Sequence, residues 1–134
     1  MKTWQALYAM VWISFFAFLT ILFPFLGWQI AQGIHIVVGV VVIVMAFYNR
    51  SLLEKSQAPL RLKRIATATA NISVAQAIIG LLFLVDALAF LFGLFEFIHI
   101  VNAVAIVTQT SSTATAYDMW EEKEYEPKPT APAS

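Results

Sequence analysis

The strongest nitrogen ligands in this chain are two histidines, and both occur in matching surroundings: Gln32-Gly33-Ile34-His35-Ile36 and Glu96-Phe97-Ile98-His99-Ile100. They stand 64 positions apart, each within an apolar run and each with a hydrogen-bonding side chain three residues earlier. Neutral imidazole is a common metal ligand. An ionisable side chain in an apolar span is costly enough to be read as functional by default. Cysteine is absent, which excludes disulfides, thiolate nucleophiles and iron–sulfur ligation. His35 and His99 therefore form a candidate ligand set. The structural alternative is two buried imidazoles that only hydrogen-bond their neighbours.

The elements that position them follow from composition. The chain has 134 residues, 60% of them hydrophobic and 12% charged, with mean hydropathy +0.78, outside the usual range of soluble domains. No charged residue occurs from Thr3 to Asn49, and only Asp86 and Glu96 interrupt Ile65 to Tyr117. A bilayer crossing needs about 20 apolar helical residues, so each stretch holds two crossings and a turn. The expected fold is an all-α integral membrane protein, an up-down bundle of four transmembrane helices at about 4–25, 30–48, 65–91 and 95–116. It occupies residues 1–117, with a cytoplasmic, disordered tail at 118–134. The first apolar run is longer than a signal-peptide core and no small-x-small cleavage site follows it, so helix one is read as retained.

Pro24 and Gly27 mark the first turn. The β-branched run Ile36 to Val44 would suggest a strand in water. In hydrocarbon only a helix or a closed barrel satisfies the backbone, and four segments do not close a barrel. Arg50, Lys55, Arg61, Lys63 and Arg64 crowd the central connection, read as a polar loop from Asn49 to Arg64. By the positive-inside rule this puts the loop and both termini in the cytoplasm of a multi-pass cell-membrane protein. These charges are read first as topology anchors, with binding of anionic lipid as the weaker alternative. Polar residues gather in the first half of helix three (Thr67 to Gln76) and the second half of helix four (Thr108 to Thr115), so the two polar halves should meet. Aligning His35 with His99 also aligns Gln32 with Glu96 and Gly39 with Ala103, which makes the bundle two tandem helix-hairpin repeats.

Helices two and four run in the same direction, and each histidine falls soon after its helix begins. In an up-down bundle these helices are diagonal, so the imidazoles oppose each other at similar depth. Structural zinc generally wants four protein ligands and catalytic zinc three. Six-coordinate haem iron takes two axial ligands and draws the others from the macrocycle, and the cofactor expected is one b-type haem. Gly39 and Ala103, one turn beyond the histidines, leave room for a ring, and Trp28 and Phe92 could edge it. Chlorophyll-type ligation, with one histidine per magnesium, is the competing pigment reading. Gln32 and Glu96 lie one turn before the histidines. Glu96 is either a helix-start acid or a proton donor and acceptor at the macrocycle edge; Asp86 is a weaker candidate of the same kind.

With these residues in view, the chain resembles the haem A synthase family, at half its size. Glu96-Phe97-Ile98-His99 matches the family's Glu-x-x-His motif, and the four-helix plan with histidines on helices two and four covers residues 4 to 116. The resemblance implies haem held by His35 and His99, with Glu96 as a catalytic carboxylate. Two functions follow as expectations. One is a haem-binding oxidoreductase acting in electron transfer or haem modification, with a redox partner or quinone. The other is a non-enzymatic subunit of a respiratory or other membrane complex, or a homo-oligomer, with structural or pigment-binding histidines. Net charge is zero, so no basic surface points to nucleic acid.

Overall fold

The computed structural model describes residues 2–22 and 27–125. They form four α-helices: α1 (Thr3–Leu22), α2 (Trp28–Lys55), α3 (Leu60–Leu82) and α4 (Phe92–Tyr125). A short 3-10 helix (Asp86–Leu91) joins α3 to α4. All four α-helices are long and apolar enough to cross a membrane. Each helix packs on two neighbours: α1 on α2 and α4, and α3 on α2 and α4. The pairs α1/α3 and α2/α4 therefore face each other across the bundle.

Two clusters of buried residues show that neighbouring helices run in opposite directions. At one end, the base, Leu7 of α1, Leu53 of α2, Leu62 and Ala66 of α3 and Ala114 and Tyr117 of α4 pack together. Above them lie Met10, Ala17, Val42, Ala46, Ala70 and Ile106. The polarity of the bundle is inverted relative to a water-soluble one. Ser14, Asn49, Thr69, Ser73, Thr110 and Thr113 are buried, while Val37, Val44, Ile78, Phe97 and Val104 are exposed. The polar halves of α3 and α4 do meet: Thr69 donates a 2.8 Å hydrogen bond to Gln109 Oε1.

Several element ends differ from the sequence expectation. The central connection is not a polar loop from Asn49 to Arg64, because α2 continues to Lys55 and α3 begins at Leu60. Arg50 pairs with Glu54 one turn on, Leu53 is fully buried, and Lys63 Nζ donates to the carbonyls of Glu54 and Ser56, satisfying groups that a helix end leaves open. Helix α3 stops at Leu82 rather than Leu91. The chain turns extended at Val85, and Asp86 opens the 3-10 connector, a common use of that helix type.

Helix α4 overruns its expected end at 116 and continues to Tyr125, so 118–125 is helical and not a disordered tail. Tyr117 is buried with Trp120 against it, and Tyr8 donates to Asp118 Oδ2 at 3.4 Å. At 34 residues α4 is about 51 Å long, well beyond the roughly 30 Å hydrocarbon thickness of a bilayer. The expected break at Pro24 and the tail beyond 125 lie outside the described residues. Gly27, with φ 92°, precedes α2, a conformation that favours glycine.

Candidate functional site

Buried residues become sparse toward the histidines, although Ala17 on α1 and Ala31 on α2 are still buried beside and beyond His35. Among the described residues none is buried between Gln32 and Val41 on α2, beyond Ser73 on α3, or before Ile106 on α4. His35 and His99 occupy this upper half, both half-buried. Their ring centres are 6.1 Å apart with planes inclined at 53°. The diagonal placement of α2 and α4 thus brings together the two residues on which the sequence reading turned.

Each imidazole is seated by the helix beside it. On the α1 side His35 Nδ1 lies 2.8 Å from the carbonyl oxygen of Ala17 and 3.4 Å from Thr20 Oγ1. A carbonyl only accepts, so Nδ1 carries the proton and Nε2 keeps its lone pair. A ligating histidine is commonly oriented in this way, by a hydrogen bond from its other nitrogen to an outer acceptor. On the α3 side His99 rests over Gly80, where an added Cβ would stand 3.2 Å from its Cε1. The Phe83 ring meets His99 edge-on at 5.7 Å. Gln76 Nε2 donates 2.9 Å to the His99 backbone carbonyl, and His99 Nδ1 is buried without a hydrogen-bond partner.

With metal–imidazole bonds of about 2.0–2.1 Å, two nitrogens on opposite sides of one metal stand about 4 Å apart, and their ring centres about 6 Å apart. The 6.1 Å spacing fits that arrangement. Among the described residues no group of three or more His, Cys, Asp or Glu side chains could hold a metal ion.

The other sequence-predicted residues are placed as follows. Nothing lies within 4 Å of where a Cβ on Gly39 would be, which leaves space one turn beyond His35, and Ala103 is half-buried. Phe92 joins the site through Phe83, ring to ring at 5.6 Å. Trp28 is 59% exposed at the start of α2. Gln32 is half-buried and Glu96 exposed.

Sequence reasoning missed the walls of the site: Ala17 and Thr20 on α1, and Gln76, Gly80 and Phe83 on the α3 side. A glycine inside an apolar helix and a lone glutamine four residues before it were readable signals. Phe83 is one of eleven phenylalanines, and Ala17 acts through its backbone, so neither carried one. No protein-family model matches the chain, and no curated protein and no solved structure matches it.

Proposed function

We propose that the chain is an integral membrane protein that holds one b-type haem between His35 and His99 and works in electron transfer or haem modification. The observation that carries this reading is the 6.1 Å separation of the two imidazoles across the bundle. The anchored Nδ1 of His35 and the orphan Nδ1 of His99 support it further. Exposed valine and phenylalanine around a polar interior suit a hydrocarbon surrounding. The basic cluster at the base suits a cytoplasmic base with both termini inside. The 64-residue correspondence of His35 and His99 suits an origin in two tandem hairpins.

His35 and His99 would hold the haem, with Gly39, Ala103 and Phe92 beside it. The haem, when bound, supplies a one-electron couple. The protein contributes orientation. Thr20 and the Ala17 carbonyl hold the proton of His35 on Nδ1, and Gly80, Gln76 and Phe83 fix the plane and height of His99. The test is a reduced-minus-oxidised absorption spectrum of the detergent-purified protein, with pyridine haemochrome analysis of the extracted pigment. A low-spin b-type signal at one haem per chain is the expected result. A colourless protein, even after haem is supplied, would leave the histidines as packing residues and put the complex-subunit reading first.

Gly80 gives a steric check. Gly80→Ala asks His99 to yield by a few tenths of an ångström and should leave the low-spin spectrum in place. Gly80→Val adds bulk where a first carbon already stands 3.2 Å from the ring and should convert the signal to high spin. An unchanged spectrum in Gly80→Val would remove His99 from the ligand set.

Glu96 lies one turn from His99 and is exposed, so its carboxylate is reachable from outside the bundle. Glu96→Gln is expected to leave haem content unaltered. If the protein modifies haem, that step should slow by about 100-fold or more, the range typical of a positioned acid or base. Product analysis of the extracted haem would measure it, and full activity in the variant would assign Glu96 to the helix terminus alone.

A further inference from the structure

The outward face of α3 carries one group that hydrocarbon does not satisfy. Ala68, Asn71, Ala75 and Ile78 are exposed and follow one another at intervals of three, four and three residues, which puts them on a single helical stripe. Asn71 lies deep along that stripe. Its chain neighbour Ala70 packs in the same buried cluster as Met10 and Ala17, which stand 7 and 14 residues beyond the start of α1 at Thr3. Asn71 is therefore about 10–20 Å from the base end of a helix about 30 Å long, at a depth that is hydrocarbon in a bilayer. The neighbouring hydroxyls of α3 are satisfied within the helix, where Thr67, Thr69 and Ser73 each donate to the carbonyl four residues back. The Asn71 side chain makes no hydrogen bond with any described residue. The other exposed amides among the described residues, Gln5, Gln29 and Gln57, lie near helix starts or in the α2–α3 connection.

We propose that this face of α3 docks a second copy of the chain in parallel, with the two Asn71 side chains hydrogen-bonded to each other across a two-fold axis. The inference rests on the membrane-spanning reading and is independent of haem. Three features select that occupant. An asparagine side chain carries both a two-proton donor and an acceptor, so two of them related by a two-fold satisfy each other, which a lipid tail does not do. Ala68 and Ala75 flank Asn71 about one helical turn away on either side, and small side chains let two membrane helices approach closely enough for such a bond. Copies inserted with the same topology present Asn71 at the same depth. The alternation of three and four residues is also the spacing of a coiled-coil seam, in which a single asparagine fixes register and partner number. Arg61 and Arg64 continue the stripe to the base and are exposed. They lie at the water interface, where long side chains splay away from the like charges of the other copy.

The chain contains no cysteine, so single-cysteine variants of the full-length protein report the contact directly in native membranes. Under copper-phenanthroline oxidation, Ala75→Cys should form disulfide-linked dimers about tenfold faster than Val44→Cys or Val104→Cys, because a disulfide needs Cα atoms within about 7 Å. The two control positions are 61% and 52% exposed, on α2 and α4. Asn71 has no side-chain partner within its own chain, so Asn71→Leu leaves the bundle intact. Added to Ala75→Cys, it should slow the crosslink by about tenfold, the worth of one or two interhelical hydrogen bonds. Asn71→Gln keeps an amide and should restore most of the rate. Equal rates at the three cysteine positions overturn the proposal, as does an Ala75→Cys rate indifferent to Asn71→Leu. Alkaline carbonate washing separates this outcome from failure of the reading beneath it. A wild-type chain washed out of the membranes overturns the membrane-spanning reading itself, whereas a retained chain whose Ala75→Cys variant stays monomeric overturns the docking alone.

Discussion

His35→Ala and His99→Ala should each abolish low-spin haem binding, the largest functional effect expected from any single substitution in this chain. The argument rests on the absence of substitutes. The chain has no third histidine and no cysteine, and among the described residues no other cluster of metal-binding side chains exists. The polar groups at His35 are the Ala17 carbonyl and the Thr20 hydroxyl, and a hydroxyl is a poor replacement for imidazole. Beyond His99 lie Gly80 and the Phe83 ring, which offer no ligand. Each purified variant would be compared with wild type by absorption spectroscopy and haem content, with circular dichroism to confirm the helical fold. Unaltered low-spin spectra in both variants would show that the histidines do not ligate haem.

The second large effect is structural. Leu53 is fully buried and packs with Ala58, Leu62, Ala114 and Tyr117 where the ends of all four helices meet. Leu53→Ala leaves a cavity that small neighbours such as Ala58 and Ala114 cannot fill. A loss of about 2–5 kcal/mol is expected, as for leucine truncation in other well-packed cores. Thermal unfolding in detergent, followed by circular dichroism, measures it. Val44→Ala is the control, since Val44 is 61% exposed and loses little packing. If Leu53→Ala melted with wild type, the base would not be the stable part of the bundle.

The features legible in the sequence were those written in residue type and period. Uninterrupted apolar runs announced four helices, and two histidines in matched settings announced the pair that the bundle brings face to face. Helix ends were less legible because charge was read as loop. Arg50, Glu54 and Lys55 are good helix formers, and their charges lie on the exposed side of a helix whose other side buries Leu53. The same holds for Glu121 to Glu124, which continue α4 because Tyr117 and Trp120 tie its preceding turn to the base. Asp86 misled in the other direction, by falling in what looked like one apolar helix. The walls of the histidine site depend on a backbone carbonyl at Ala17 and an absent side chain at Gly80, and a linear sequence does not say which groups face them.

The sparse core around the histidines makes α2 and α4 a pair of levers. Val42 and Ile106 belong to the upper core cluster, and each lies seven residues beyond the histidine on its own helix, two helical turns along nearly the same face. These residues are the fulcrums. At about 10 Å from fulcrum to imidazole, a tilt of about 5° in either helix moves its ring by about 1 Å, half the length of a metal–nitrogen bond. The span between the two rings therefore depends on Val42 and Ile106, which lie two turns away, as well as on the groups that seat the rings.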